Sequence, residues 1–192
     1  MKNKAIIKAL KALLPTYQKP SPTPACKEDA KALRYLMGQI IRQYDIPKTH
    51  WHISEGAKLR WTMLNGGNIK DYHYQDTVTC EKLHTPITYE LFIGAQKTGT
   101  QTTLSNGSAF PFRQMFHEDH VIPVSLILDE LAKLNYINET TIQGILNQMH
   151  LCVILKEEDR KIGRTKGRSL CFASTIQNTY TPAGVILASS YP

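Results

Sequence analysis

The feature that most constrains the fold is an apolar run that passes directly into an acidic one. Leu151 to Leu155 is a continuous apolar segment of strand length, and the next four residues are Lys156, Glu157, Glu158 and Asp159. Carboxylates are favoured in the first turn of a helix, where the exposed amide groups and the helix dipole attract negative charge. The pattern therefore predicts a strand that enters a helix.

A second short segment lies upstream, from Phe116 to Pro123, and contains an Asp-His pair at positions 119 and 120. Neighbouring residues of a strand point to opposite faces, so the two side chains can serve one site only near a strand end or an irregularity. Pro123 already limits ladder pairing at that point. The minimal unit predicted from the two segments is strand, connection, strand and helix.

The string Asp119-His120-Val121-Ile122-Pro123 resembles the first element of the HNH, or ββα-metal, nucleases. The string from Ile154 to Ile162 is similar to the closing strand and helix of that motif, and together the two cover about a quarter of the chain. The resemblance implies hydrolysis of nucleic-acid phosphodiesters with one divalent metal. Where this chain has Asp159, the family usually has His or Asn.

Position by position, the resemblance implies that Asp119 and Asp159 are metal ligands and that His120 is the general base. Asn147 would be the asparagine that orients the base. Glu158, one residue before Asp159, remains the alternative second ligand.

The chemistry of these residue types supports the same assignment without the family. An imidazole has a reference pKa of about 6.5, which suits the removal of a proton from water. Two carboxylates suit a hard cation such as Mg²⁺, or Mn²⁺ in its place, that neutralises the transition state and the departing oxygen. The alternative is that the Asp-His pair is an inert surface turn.

Composition limits the classes of protein to which the chain can belong. It has 192 residues, 42% of them hydrophobic, and a formal net charge of +7. That length suits one domain with a genuine core, and the positive balance favours a polyanionic partner. No run approaches the roughly 18 apolar residues of a spanning helix, so we expect no membrane partner and a cytoplasmic location.

The expected architecture is α+β, with a helical N-terminal part, a ββα-metal catalytic unit and a small antiparallel sheet. Apolar spacing predicts helices over residues 2–14, ended by Pro15, and over about 27–44, with an extended proline-rich linker between them. Two more helices, capped by Ser125 and Asn138, fill the connection inside the unit. We expect a single nuclease domain over 1–192: a helical segment 1–47, a scaffold and DNA-contact region 48–112, the catalytic unit 113–168 and C-terminal strands 169–192.

Basic residues beside the predicted catalytic helix are candidates for binding nucleic acid, because lysines and arginines neutralise phosphates. A solvated charged face is the alternative. His117 is a candidate substrate contact or reserve ligand, and Lys58 and Arg60 are further candidate readers of bases or phosphates. The expected nucleic-acid contacts are Arg113, His117, Arg160, Lys161, Arg164, Lys166 and Arg168.

The four cysteines are isolated in the sequence, at positions 26, 80, 152 and 171. Structural zinc sites are usually built from Cys-x-x-Cys pairs, and the chain contains none. We therefore expect reduced thiols and no structural zinc.

Small size and the lack of an ATPase or helicase motif favour a type II restriction endonuclease that acts on double-stranded DNA. Cutting both strands with one active centre per chain implies a homodimer. Two alternatives stay open. One is another HNH enzyme, such as a homing, phage or toxin nuclease, acting on DNA or RNA; the other is a basic DNA-binding module without catalysis.

Overall fold

The structure is a computed structural model that describes residues 2–19, 24–65, 101–103, 107, 109–111, 115–162 and 180–188. The described chain is α+β and mostly helical. It groups into two compact units, one within residues 1–50 and 120–151 and the other within 51–119, 152–162 and 180–188. The single domain with four segments expected from the sequence stays a prediction.

Within the described residues, the first unit contains a 3-10 turn (Lys48–His50) and four α-helices: α1 (Lys2–Tyr17), α2 (Pro24–Arg42), α4 (Val124–Ala132) and α5 (Glu139–Leu146). Apolar side chains at helical spacing make its core, among them Leu10, Met37, Ile41, Leu131 and Ile142, each fully buried. This pattern is the one that predicted the helices from the sequence.

Two expected helix boundaries in this unit are wrong. Pro15 does not end α1 but lies inside it, near the C-terminal end at Tyr17. A proline near the C-terminal end removes one backbone hydrogen bond from the last turns, which costs less stability than a proline in mid-helix. Leu10 and Leu14 are fully buried, and their packing stabilises this end of the helix. Pro24 opens α2 at its first position, where a proline is well tolerated because its missing N–H has no helical partner.

Of the two predicted N-caps, the one of α5 is confirmed and the one of α4 is wrong. Asn138 caps α5 as predicted: its side chain accepts from the Thr141 amide at 2.9 Å, within a capping box. Ser125 does not cap α4, because Pro123 occupies the N-cap position and the helix begins at Val124. At the other end of α5, Asn147 is the C-cap, and its Oδ1 accepts a hydrogen bond from the Tyr44 hydroxyl at 2.7 Å.

The second unit contains the sheet and the short helices around it. Its elements are β1 (Trp51–Ile53), α3 (Glu55–Asn65), β2 (Gln101–Thr103), β3 (Ala109–Pro111), β4 (Phe116–His120), β5 (Leu151–Leu155), α6 (Lys156–Ile162) and a 3-10 turn (Thr181–Ala183). The end residues His120 and Leu151 of two of these strands group with the first unit. The helix expected over residues 156–162 is therefore present, directly after the strand.

Strand β5 is the middle strand of a three-stranded sheet with the order β1-β5-β4. All five of its residues are buried, which is why the segment reads as an unbroken apolar run. The sheet is mixed, so the small antiparallel sheet expected from the sequence is wrong for these three strands. A separate antiparallel pair, β2 with β3, does occur.

Ser54 connects two helices of this unit. Its hydroxyl oxygen accepts from the Ala57 amide at 3.0 Å and so caps α3. The same hydroxyl donates to Glu158 Oε2 at 2.6 Å, and Ser54 is fully buried. One small side chain thus stabilises the start of α3 and ties it to α6.

Other expectations fall on residues that the structure does not describe. Residues 20–23 of the expected proline-rich linker and most of the predicted C-terminal strands lie there. Among the described residues, no helix is both long and apolar enough to cross a bilayer.

Replacing Ser54 with alanine should lower the free energy of unfolding by about 1–3 kcal/mol, because a helix cap and a hydrogen bond to a carboxylate are lost together. Urea denaturation measures the loss. Ser125→Ala is the matched control, since Ser125 is exposed and offers Arg34 only its backbone oxygen. The control should change stability by less than about 0.5 kcal/mol. Equal losses in the two variants would contradict the double role of Ser54.

Candidate metal centre

Strand β4 places two possible metal ligands on one face of the sheet. His117 and Asp119 are two residues apart, so the strand alternation directs their side chains to the same side. Asp119 is buried and His117 is half-buried. His120 belongs to the opposite alternation, is half-buried and is the last residue of the strand, followed by a bend and Pro123.

A third possible ligand lies on α6. Because β5 passes into α6 without a loop and neighbours β4 in the sheet, the first turn of α6 starts beside β4. Asp159 is the fourth residue of this helix and is half-buried. Strand pairing therefore brings together residues that lie about forty positions apart in the chain.

His117, Asp119 and Asp159 each offer one ligand atom, and these atoms all lie within 4.8 Å of one another. His117 Nε2 lies 3.7 Å from Asp159 Oδ1. One imidazole nitrogen with two carboxylate oxygens suits a divalent cation that accepts both donor types, such as Mn²⁺, and offers Mg²⁺ its preferred oxygens. The donor set thus fits a cation of the class expected from the sequence and does not identify it.

The other side of the His117 ring faces a lysine. Lys156 Nζ lies 3.4 Å from His117 Nδ1. An ammonium group can only donate, so Nδ1 is the acceptor in this arrangement and the proton of the neutral ring lies on Nε2, which faces Asp159. Binding of a cation through Nε2 would require that proton to move to Nδ1. The His117 ring therefore lies between the Lys156 ammonium group and the Asp159 carboxylate.

The buried carboxylate of Asp119 is held by a tyrosine. The Tyr180 hydroxyl donates to Asp119 Oδ2 at 2.8 Å, and Tyr180 is fully buried. On the neighbouring strand β5, burial raises the pKa of the Cys152 thiol well above its ordinary value, and the charges of Asp119 and Glu158 raise this pKa further. Cys152 is not in a disulfide, and we expect it to stay a neutral thiol.

Comparison with protein-family models, curated proteins and solved structures gave no match. Nothing in these comparisons indicates membership of the HNH superfamily. The functional interpretation therefore depends on the residues themselves.

Glu158, the alternative ligand expected from the sequence, has other partners. Its Oε2 accepts from the Leu155 amide at 2.8 Å and from Ser54. It therefore reaches back to the start of its own helix, as the glutamate of a capping box does. Gly56 keeps the space open: a Cβ there would lie 2.7 Å from Glu158 Oε1.

The other residues predicted for the site lie in the first unit, on α6 or outside the described residues. Asn147 belongs to the first unit, where it accepts from Tyr44, whereas His117, Asp119 and Asp159 belong to the second. Arg160 and Lys161 are exposed in the last turn of α6. Arg113, Arg164, Lys166 and Arg168 lie outside the described residues.

The interpretation of Arg60 as a reader of bases or phosphates is wrong. Its side chain is fully buried within α3, with Nη1 3.7 Å from Met115 Sδ. It acts electrostatically on Glu157 instead, because its positive charge lowers the pKa of that glutamate. An arginine without solvent exposure cannot contact a phosphate on the surface.

Two residues of the candidate site were missed by the sequence interpretation. Lys156 could have been found from the sequence, because the residue that directly follows a buried strand lies at the end of that strand, beside its neighbour in the sheet. Tyr180 carries no such signal: it is 61 positions from Asp119, in a segment predicted only as strands. Its partner is fixed by tertiary packing alone.

Removing either carboxylate of the group should weaken cation binding. We expect Asp119→Asn and Asp159→Asn each to lower the affinity for Mn²⁺ at least about tenfold, since each loses a charged ligand. Isothermal titration calorimetry measures this. Glu158→Gln is the matched control and should lower stability while leaving the affinity within about threefold of wild type. Equal losses of Mn²⁺ affinity in Glu158→Gln and Asp159→Asn would indicate that Glu158 is also a ligand.

The stability of the protein should also depend on Glu157. Burial, followed by repulsion from Glu158, raises its pKa above the ordinary value of 4.5, although Arg60 and Lys161 oppose the shift. The folded state thus keeps this proton more tightly than the unfolded state, so the free energy of unfolding falls as pH rises from 4.5 through the raised value. Glu157→Gln should remove that loss, and its stability relative to wild type should increase from pH 4 to pH 7 in urea titrations. A difference independent of pH would contradict the raised pKa.

Proposed function

We propose that this protein is a divalent-metal-dependent nuclease that hydrolyses phosphodiester bonds of DNA. The observation that supports the proposal most is the convergence of His117, Asp119 and Asp159 within 4.8 Å on the sheet and helix that carry the resemblance to HNH nucleases. The exposed Arg160 and Lys161 on the same helix, and the net charge of +7, support a polyanionic substrate.

His117, Asp119 and Asp159 would hold the cation. When bound, a divalent cation supplies Lewis-acid stabilisation of the charge that develops on the phosphate and on the departing oxygen. Lys156 adds a positive charge next to His117 and would contribute to the same stabilisation. Arg160 and Lys161 would neutralise neighbouring phosphates.

His120 would act as the general base. In the proposed step, a water oxygen forms a bond to phosphorus while His120 accepts the proton of that water. The bond from phosphorus to the bridging ester oxygen breaks, and that oxygen takes a proton from solvent. His120 is the last residue of β4, before the bend that leads to Pro123, and the proposal requires its side chain to reach the attacking water from that strand end.

The single candidate centre among the described residues favours a type II restriction endonuclease that works as a homodimer on double-stranded DNA. A homing, phage or toxin nuclease, with DNA or RNA as substrate, is the alternative within the same chemistry. The contact of 3.7 Å between His117 Nε2 and Asp159 Oδ1 favours a second class of explanation, in which these side chains only stabilise the fold of a basic DNA-binding module.

Plasmid DNA incubated with the protein and Mg²⁺ or Mn²⁺ distinguishes these functions. We expect cleavage that EDTA abolishes, with discrete fragments for a restriction enzyme and a smear for a non-specific nuclease. His120→Ala should lower the cleavage rate at least about a hundredfold while DNA binding stays within about threefold, because loss of a general base typically costs that much.

His52→Ala is the matched control, since His52 is also half-buried on a strand and has no proposed catalytic role. It should cleave at nearly the wild-type rate. Cleavage by the His120 variant at the wild-type rate would remove His120 from the base role. DNA binding without metal-dependent cleavage of DNA or RNA by the wild type would favour the binding module.

A further inference from the structure

We propose that Tyr180 makes Asp119 a one-oxygen ligand and thereby selects a small octahedral cation over Ca²⁺. The inference rests on the proposed metal-dependent function, because it concerns the same three ligands. It assigns to Tyr180 the part of a positioning residue, which acts on the cation only through the carboxylate of Asp119.

The hydrogen bond to Asp119 is the first step. Tyr180 donates to Oδ2 at 2.8 Å inside a buried environment, where both residues are at most 4% exposed. A two-oxygen mode needs Oδ1 and Oδ2 to turn together toward the cation, and the hydroxyl competes with that movement. The oxygen presented to a cation is then Oδ1.

Tyr180 is itself held firmly. It precedes the turn Thr181–Ala183, and Gly184 closes the turn in the left-handed region with φ of 69°. The Val185 amide then donates to the Tyr180 carbonyl oxygen at 3.0 Å, and the Ala188 amide donates to Ile53 of β1 at 2.9 Å. The hydroxyl is therefore fixed relative to the sheet that carries Asp119.

Cation size makes this constraint selective. Mg²⁺ requires nearly octahedral geometry with short bonds of about 2.1 Å, and a one-oxygen carboxylate meets this requirement. Ca²⁺ takes six to eight oxygens and commonly binds carboxylates through both atoms. Outer hydrogen bonds to metal ligands typically change affinity about 10- to 100-fold. Fixing Asp119 should thus favour Mg²⁺ and Mn²⁺ at the expense of Ca²⁺.

The test compares wild type with Tyr180→Phe, which removes one hydroxyl and keeps the ring. Titration calorimetry with MnCl₂, MgCl₂ and CaCl₂ gives the three affinities of the full chain. We expect the affinity for Mn²⁺ to fall at least about tenfold while that for Ca²⁺ changes less than about threefold, so that the preference for Mn²⁺ over Ca²⁺ falls at least about threefold. Unchanged selectivity in the variant would overturn the inference while leaving the proposed nuclease intact.

Val185→Ala is the control for a merely structural effect, because Val185 is buried in the same segment and its aliphatic side chain cannot hydrogen-bond to Asp119. It should lower the melting temperature and keep the wild-type selectivity. A similar loss of selectivity in this variant would overturn the role of the hydroxyl. Absence of any cation binding by the wild type would overturn the proposed function and this inference with it.

A second measurement holds even where Tyr180→Phe does not fold. Infrared difference spectra of the wild type labelled with ¹³C-aspartate, with and without Mg²⁺, report how its carboxylates bind. The wide separation of the two carboxylate stretches that is typical of one-oxygen binding would support the inference. The narrow separation of two-oxygen binding at both aspartates would overturn it.

Discussion

The arrangement of the candidate site depends on a buried carboxylate. Asp119 is 4% exposed, and a carboxylate at that depth is stable only with hydrogen bonds or positive charge around it. Tyr180 provides one hydrogen bond, and the proposed cation, together with His117, would provide the charge. A function that needs a cation at this position therefore also serves the fold, because binding would relieve part of the cost of burying Asp119.

Three successive acidic residues of α6 have different tasks in this arrangement. Glu157 is half-buried near Arg60, Glu158 caps its own helix through Leu155 and Ser54, and Asp159 turns toward His117. The helical repeat separates these side chains by about 100° each, so only one of them can face β4. A single acidic run in the sequence thus supplies a half-buried carboxyl group with a raised pKa, a cap and a candidate ligand.

Periodicity predicted much of the fold, and tertiary packing explains what it did not predict. The apolar run from Leu151 to Leu155 and the acidic run after it predicted β5 and α6, because both signals are local. The capping of α5 by Asn138 was local as well. The failures at Pro15 and Ser125 concern helix ends, where packing of Leu14 and the turn at Pro123 override the residue preference. The pairing of Asp119 with Asp159 was expected from the resemblance, whereas Tyr180 joins Asp119 only through tertiary packing that no pattern in the chain reveals.

The most direct test of the central idea is the anomalous scattering of Mn²⁺ in crystals of the full chain grown with MnCl₂. The account predicts an anomalous peak about 2.1 Å from a ring nitrogen of His117 and from one oxygen each of Asp119 and Asp159, the distance typical of small octahedral cations. Crystals that diffract well and show no peak among these three residues, or show the cation bound by Glu158 instead, would contradict it.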